Sequence, residues 1–303
     1  MRTFGRRQLV KGAVGLAAAS WWTLHQQDLL RAAVTGAQTG KEAGKTAGKK
    51  ASDKVTLGKT GIKLSRLAMG SGTNGVGKSS QQSRLGVAGF ADLLEHAYDR
   101  GVNFFETADQ YGTHEHMREG MRRVGKNNVV LLTKTHADSA KELRADLDRF
   151  RRELGRDHLD IVLLHCMTSA TWTKDKEGAM EALARAKEQG IIRAHGVSCH
   201  TLPALELAAR TPWVDVDLAR INPVGASMDA EPETVLKVLA QMKQAGKGVI
   251  GMKILGAGAL TKQVDRALAF AGKLDVLDAF TIGFASGQQF DEIAEKLPRL
   301  SQA

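Results

Sequence analysis

The chain has 303 residues, of which 43% are hydrophobic and 25% are charged, and its formal net charge is +10. The positive excess lies at the beginning, because residues 1–54 contain ten Lys and Arg against three Asp and Glu, whereas the other 249 residues contain 33 against 30. The nearly balanced body argues against a nucleic-acid-binding protein, and two cysteines exclude a disulfide framework.

Residues 1–37 are predicted to be an export signal. Arg6 and Arg7 precede a short apolar stretch over 12–24, and small residues over 34–37 offer a cleavage region. The stretch is too short to span a bilayer comfortably, and the arginine pair with its flanking residues resembles the bacterial twin-arginine motif. We therefore expect the twin-arginine translocase as a partner during export, a periplasmic location and no stable membrane span in the mature form. An N-terminal amphipathic anchor is the alternative.

Residues 38–54 are predicted to be a disordered linker. They contain Gly, Ala, Lys and Thr but no large apolar side chain. Such a segment buries too little surface to offset the entropy of ordering its backbone.

Residues 55–303 are predicted to form one (β/α)8 TIM barrel. Residues 55–64 have the pattern of an N-terminal β-hairpin around a turn that contains glycine. Because strand-like runs and helical periodicity alternate eight times over roughly 230 residues, a closed parallel barrel is favoured. The predicted barrel strands are Arg66–Gly70, Asn103–Thr107, Val129–Lys134, Leu159–His165, Ala194–Ser198, Val216–Asn222, Gly248–Lys253 and Ala279–Gly283.

A doubly wound open sheet is the competing fold. The run Gly70-Ser71-Gly72-Thr73-Asn74-Gly75 offers the Gly-x-Gly-x-x-Gly spacing of a dinucleotide-binding turn. No acidic residue ends the second predicted strand at a suitable distance without conflicting with the catalytic assignment given below, however, and the glycine pattern alone is weak evidence.

The helical segment Ala140–Leu154 has the clearest periodicity in the chain. Its apolar side chains recur at the spacing of one helix face. Gly155 follows it directly, and Gly101, Gly190 and Gly246 follow other helical segments, where a left-handed cap favours glycine.

Four chemically active side chains come at or just after the carboxyl ends of predicted strands. They are Glu106, Tyr111, Lys134 and His165. Active sites of TIM barrels are built at this end of the strands. We therefore expect the four side chains to meet in one catalytic site.

The surrounding sequence resembles the aldo-keto reductase family. The resemblance rests on Phe105-Glu106-Thr107-Ala108-x-x-Tyr111-Gly112-x-x-Glu115, followed in family order by Lys134, His165 and the Gly196-Val197-Ser198 segment. It extends from about residue 55 to 297. It implies an NAD(P)H-dependent oxidoreductase that transfers a hydride between nicotinamide and a small carbonyl or alcohol substrate, such as an aldehyde, ketone or sugar.

The resemblance assigns a role to each of the four residues. Tyr111 is the general acid and base, and an ammonium at Lys134 is expected to lower the phenol pKa, which is otherwise about 10. Glu106 pairs with Lys134, although the family normally has Asp at this position. His165 donates a hydrogen bond to the substrate carbonyl.

The same resemblance places the cofactor. Gly72, Thr73 and Asn74 are expected at its nicotinamide end and Ser198 at the carboxamide, and the remaining expected contacts come from later segments. These are Asn222, Lys253, Leu255, Gly256, Gly258 and Gln289, of which the residues over 253–258 belong to a loop around the pyrophosphate.

NADP(H) is the expected cofactor and NAD(H) the alternative. Departures from the family pattern keep that alternative open. Leu218 stands where a carboxamide-binding glutamine is common, and Met252 stands where an aromatic residue often stacks on nicotinamide. Phe284, Gln289 and Ile293 occupy the region where other members bind the adenosine 2′-phosphate.

Other functions stay open at this point. His136, Cys166, Cys199 and His200 cluster near the same end of the predicted barrel and could bind a metal or, for the cysteines, form a disulfide. We expect neither, because neighbours on a strand face opposite sides, so that Cys166 and Cys199 turn away unless the backbone bends. A barrel that binds nucleotide without catalysis, as a subunit of a larger complex, is the alternative function.

Overall fold

The structure is a computed structural model that describes residues 48–302. The predicted signal peptide, and most of the predicted linker, lie outside the described residues. The first elements are two short antiparallel strands, β1 (Lys54–Thr56) and β2 (Lys63–Ser65), which form the expected N-terminal hairpin.

Eight parallel strands then close into a barrel. Each strand pairs with the next along the chain, and the last pairs with the first, so the order is β10-β3-β4-β5-β6-β7-β8-β9. The closed pairing confirms the predicted TIM barrel and rules out the open doubly wound sheet. The barrel strands are β3 (Leu67–Gly70), β4 (Phe104–Glu106), β5 (Val130–Thr135), β6 (Leu159–Met167), β7 (Ile192–Cys199), β8 (Val216–Arg220), β9 (Gly248–Met252) and β10 (Ala279–Gly283).

Helices connect successive strands and cover the outside of the barrel. Among the described residues, no helix combines the length and the apolar character that a membrane crossing requires. The helices are α1 (Gly86–Asp99), α2 (His114–Val124), α3 (Ala140–Leu154), α4 (Trp172–Asp175), α5 (Glu177–Glu188), α6 (Leu202–Arg210), α7 (Pro232–Gln244), α8 (Val264–Lys273) and α9 (Gly287–Leu300).

Helix α3 shows why local sequence determines these elements. The Ser139 side chain accepts a hydrogen bond from the Glu142 amide, and the Glu142 carboxylate in turn accepts one from the Ser139 amide, which completes a capping box. At the other end Gly155 has φ 65°, the left-handed conformation that glycine adopts without steric cost. The predicted bounds of this helix are therefore confirmed.

The apolar side chains form two layers because successive strand residues face opposite sides of the barrel wall. One layer fills the barrel interior, and the other lies between the strands and the helices. Leu57 and Ile62 of the hairpin belong to the inner layer. The hairpin therefore closes the amino end of the barrel and leaves the carboxyl end for a site.

The end of the predicted linker is ordered, contrary to expectation. Ala51 is buried, and its carbonyl accepts a hydrogen bond from the Leu67 amide. The Arg66 amide donates to the Asp53 carbonyl in the same way. Residues 48–54 therefore pack against the barrel, because their backbone, rather than any large side chain, supplies the contacts.

Candidate active site

A cavity of about 510 Å³ opens at the carboxyl ends of the strands. It begins beside Tyr111 and Glu106 and extends outward to helix α9. We call it the groove. Its walls come from the loop after β3, the loop after β9, and the end of β10 with the start of α9. Its position agrees with the general location of ligand sites in TIM barrels.

Glu106 and Lys134 form a buried ion pair on the inner wall of the barrel. The Lys134 side chain has no exposed surface, and its Nζ contacts Glu106 Oε1 and donates to the Thr107 carbonyl at 2.8 Å. The second Glu106 oxygen accepts a hydrogen bond from Thr281 on β10 at 3.2 Å. The expected pairing is present, and the additional methylene of Glu106 is accommodated.

The Tyr111 ring lies directly against this pair. Lys134 Nζ is 4.8 Å from the centre of the ring, over its face. Tyr111 is the last residue of a short 3-10 turn, Asp109–Tyr111, which is fixed by the ion pair between Asp109 and Arg149 of α3 at 2.6 Å. The turn thus brings the phenol from beyond β4 back over the end of β5.

The pKa of Tyr111 moves opposite to our expectation. Burial raises it well above its usual value, and the negative charge of Glu106 raises it further. Lys134 does not reverse this increase in pKa, because the charge of its ammonium group is offset by the Glu106 carboxylate paired with it. Tyr111 is therefore a neutral phenol, a proton donor, in this arrangement.

His165 at the end of β6 meets Tyr111 edge-on, with the ring centres 5.7 Å apart. Burial lowers the pKa of His165 to about 2, and the charge of Lys134 contributes to the decrease. The imidazole is therefore neutral at ordinary pH. Its Nδ1 is buried and has no hydrogen-bond partner within the described chain.

Two residues that the sequence analysis did not assign to the active site lie beside His165, and we call them the outer rim of the site. The His136 ring stacks on His165 with 4.6 Å between their centres, and His136 Nε2 is hydrogen-bonded to Gln110. Gln110 also donates to the Gly75 carbonyl. His136 follows β5 by one residue, so its position after a strand end was the available signal.

The glycine run over 70–75 supports Tyr111. A Cβ atom at Gly72 would lie 2.2 Å from the Tyr111 ring, and one at Gly75 would lie 2.4 Å from it. Both distances are far below van der Waals contact. Glycine is therefore required here because the backbone presses against the aromatic ring. This close approach explains a pattern that resembled a phosphate-binding turn.

Seven of the predicted cofactor contacts lie on the walls of the groove. The loop after β9 is notable because Lys253, Ala257 and Gly258 have φ between 53° and 107°. Left-handed residues in a loop can gather backbone N–H groups into concavities that bind anions, but here the Gly256 and Gly258 amides already donate to the Lys253 and Leu255 carbonyls. The seven groove residues are Gly72, Thr73, Asn74, Lys253, Leu255, Gly258 and Gln289.

Ser198, Asn222 and Gly256 do not line the groove. The Ser198 hydroxyl accepts a hydrogen bond from the Cys166 amide at 3.0 Å. The Asn222 side chain donates to the carbonyls of Ala226 and Lys253 and accepts from two amides of its own loop. Both side chains hold backbone segments together, and Asn222 uses both its amide nitrogen and its oxygen for that purpose.

The possible metal and disulfide cluster does not assemble. The backbone does bend, because Cys166 has φ 65° within a β-bulge, and its Sγ lies 3.1 Å from His200 Nδ1. Cys199 is buried instead beside Asp217, and both cysteines are free thiols.

A different group of potential metal ligands occurs in the described chain. The ligand atoms of Asp109, His114 and Glu153 lie within 4.8 Å of one another. Arg149 binds both carboxylates, at 2.6 and 3.1 Å. The guanidinium group therefore already supplies the positive charge that a metal ion would bring.

Comparison with known proteins identifies a family. The sequence profile of the Aldo/keto reductase family matches residues 68–299. Solved structures agree in fold. An aldo-keto reductase from Pseudomonas aeruginosa covers 83% of this chain and 97% of its own, with a TM-score of 0.69 at 22% identity. One from Bacillus halodurans, in its holo form, covers 80% and 90%, with a TM-score of 0.63 at 16% identity.

Curated relatives match this chain over part of their length. L-galactose dehydrogenase from Arabidopsis thaliana is 26% identical over 68% of this chain and 66% of its own length. The chloroplastic pyridoxal reductase of the same plant is 29% identical over 55% and 50%. D-threo-aldose 1-dehydrogenase from a Pseudomonas species is 21% identical over 56% and 60%. The chain thus spans between half and two thirds of these relatives.

Proposed function

The chain belongs to the aldo/keto reductase family, and from this premise we propose that it reduces carbonyl groups, or oxidises the corresponding alcohols, with Tyr111 as general acid and base. A nicotinamide cofactor bound in the groove would supply or accept the hydride. The residues fit such a cofactor, because the groove joins the Tyr111 phenol to the loop at 253–258, where Lys253 supplies positive charge for a pyrophosphate.

The observation that carries the proposal is the contact among Tyr111, Lys134 and His165. A carbonyl oxygen gains negative charge as it is reduced, and a positioned acid neutralises it. The neutral Tyr111 O–H donates that proton to the oxygen, and the Lys134 ammonium stabilises the phenolate that remains. Neutral His165 can donate an N–H to the same oxygen while it stays uncharged.

The substrate proposed for testing first is a hydroxylated carbonyl compound, such as a sugar. The outer rim carries the polar side chains of His136 and Gln110. Two of the relatives are named as dehydrogenases of L-galactose and of D-threo-aldose. Hydrogen-bonding rims suit substrates that carry several hydroxyl groups.

Tyr111→Phe tests the mechanism. We expect NAD(P)H binding, measured as quenching of cofactor fluorescence, to change little. Turnover on a panel of aldehydes, ketones and sugars should be lost. The chain has two tyrosines, so Tyr98→Phe on helix α1 is the matched control and should turn over normally. Normal turnover by Tyr111→Phe would falsify the proposed role. Cofactor binding without turnover by the wild-type protein would favour a nucleotide-binding subunit.

We also propose, from the sequence of residues 1–37, that the protein is exported to the periplasm by the twin-arginine translocase. This pathway carries folded proteins, so the cofactor would be bound before export and retained through the reaction cycle. Replacing Arg6 and Arg7 by Lys should retain the protein in the cytoplasmic fraction, as measured by immunoblotting. If the protein isolated from the periplasm is always free of cofactor, the proposal that the cofactor stays bound during export and turnover is wrong.

A further inference from the structure

The groove has two chemically different ends. Tyr111, Glu106 and Thr281 line its inner end, whereas Thr261, Gln289 and Glu292 line its outer end. If the proposed function holds, the nicotinamide ring must reach Tyr111. The adenosine half of the cofactor then lies at the outer end, between helices α8 and α9.

The positive charge of the groove lies toward the inner end. Lys253 is the only Lys or Arg among the residues that line the groove within the described chain. Burial is the largest cause of the lowered pKa values of His165 and His200. The positive charge of Lys253 also lowers both of them. Its ammonium group is thus near the reactive residues and the 253–258 loop, where the pyrophosphate would lie.

Two carboxylates share one ammonium group at the outer end. Glu292 faces the groove and is bound by Lys296 at 2.8 Å. Lys296 is shared with Asp265 of α8 at 2.9 Å, so one ammonium group serves two carboxylates. A third anion placed beside this group would meet uncompensated negative charge.

Two backbone donors at the start of α9 are not free to compensate an anion. The Ser286 hydroxyl accepts a hydrogen bond from the Gln289 amide, and the Gln289 side-chain oxygen accepts one from the Ala285 amide. The Gly287 and Gln288 amides remain as the donors of the first turn. Helix N-termini bind phosphate through such free amides together with the helix dipole.

We propose that this protein selects NAD(H) over NADP(H), because Glu292 and Gln289 form a ribose-binding end that rejects a 2′-phosphate. The proposal rests on the proposed function and departs from the NADP(H) preference that the family resemblance implies. A carboxylate accepts hydrogen bonds from ribose hydroxyls and repels a phosphate, as acidic residues do in other NAD sites. The Gln289 amide N–H₂ can donate to the same ribose.

The test measures binding directly. Dissociation constants of NADH and NADPH are determined for the full chain by quenching of cofactor fluorescence at fixed ionic strength. We expect NADH to bind at least about tenfold more tightly. Glu292→Gln should tighten NADPH binding severalfold and weaken NADH binding, because the ribose hydroxyls lose a charged acceptor, and both changes would narrow the difference between the two dissociation constants.

Glu295→Gln is the matched control. Glu295 lies on the same helix, is exposed, and does not line the groove, so this variant should keep the wild-type preference. Equal or tighter NADPH binding by the wild-type protein would overturn the cofactor selection but leave the proposed oxidoreductase function intact. Equal ratios of the NADH and NADPH dissociation constants in Glu292→Gln and Glu295→Gln would also overturn the cofactor selection and leave the oxidoreductase function intact. Failure of both cofactors to bind would overturn the proposed function itself.

Discussion

Two carboxyl groups buried in the barrel wall have opposite surroundings. Glu106 on β4 faces the interior, where the Lys134 ammonium and the Thr281 hydroxyl satisfy both of its oxygens. Asp217 on β8 lies between two interior residues in sequence and therefore faces the helices. Its one partner in the described chain is the Cys199 thiol, at 3.7 Å, and its Oδ2 has none.

The difference shows what a buried carboxyl requires in order to stay charged. Glu106 forms an ion pair, so its charge is available to the active site. Burial raises the pKa of Asp217 to about 8, and the negative charge of Asp229 adds to the increase. Asp217 is therefore mainly protonated at neutral pH. The state of each group depends on whether a cation lies beside it.

The largest expected effect comes from removing that cation. Lys134→Met should lower turnover about a thousandfold and lower the free energy of unfolding by about 3–5 kcal/mol, because Glu106 is left charged and unpaired in the interior. Turnover and urea denaturation are the measurements. The double variant Glu106→Gln with Lys134→Met should regain most of the stability and none of the activity. If Lys134→Met is inactive but as stable as the wild-type protein, the argument that an unpaired Glu106 charge destabilises the fold is wrong, whereas the role of Lys134 in turnover stands.

Asp217→Asn should change how stability depends on pH. Asp217 has a pKa of 3.8 as a free group and about 8 in the fold, so unfolding releases a proton between these values. The unfolding free energy of the wild-type protein then falls as pH rises from about 4 to about 8, by up to about 1.4 kcal/mol per pH unit from this group. Asp217→Asn should remove that part of the slope.

Urea denaturation at several pH values measures this slope. Asp157→Asn is the control, because the Asp157 side chain is 98% exposed and should contribute no comparable slope. Identical slopes for the wild-type protein and Asp217→Asn would show that Asp217 is ionised in the fold.

Gly75→Ala tests whether the backbone packs as closely against the Tyr111 ring, beside the Glu106–Lys134 pair, as the structure shows. The new methyl group would overlap the Tyr111 ring, so we expect kcat to fall about a hundredfold, while cofactor dissociation constants change less. Gly89→Ala in α1 is the matched control, since its Cβ would have no contact closer than 3.8 Å. A kcat near the wild-type value for Gly75→Ala would mean that the ring moves aside without consequence.

The smallest expected effect belongs to the partner of Asp217. Cys199→Ala removes a weak thiol donor from a mainly neutral carboxyl, so the free energy of unfolding should fall by only about 1 kcal/mol. A loss as large as that of Lys134→Met would show that the thiol compensates a full negative charge. Both variants can be compared in the same denaturation series.

Much of the fold and part of the site could be predicted from local pattern. Strand β10 and helix α3 have the predicted bounds because alternation and capping residues act over a few neighbours. Lys134 and His165 were assigned to one site because parallel strands bring their carboxyl ends to one edge. The barrel topology makes that inference independent of side-chain detail.

The sequence could not predict contacts between distant residues. Thr281 binds Glu106 across 175 positions, and no local pattern indicates that pairing. Asn222 has suitable chemistry for a cofactor, yet its donors and acceptors bind backbone segments, and the Ser198 hydroxyl accepts a hydrogen bond from the Cys166 amide. The upward shift of the Tyr111 pKa also depends on tertiary structure, because it comes from burial of the phenol and from the negative charge of Glu106.

The sequence by itself determined the order of the elements, the closed barrel and the edge at which the reactive groups meet, because hydrophobic periodicity and turn residues act locally. Only the tertiary structure decided which groups are charged, which donors are free and which end of the groove is negative. Those properties depend on desolvation and on neighbours that are close in space but far apart in the chain.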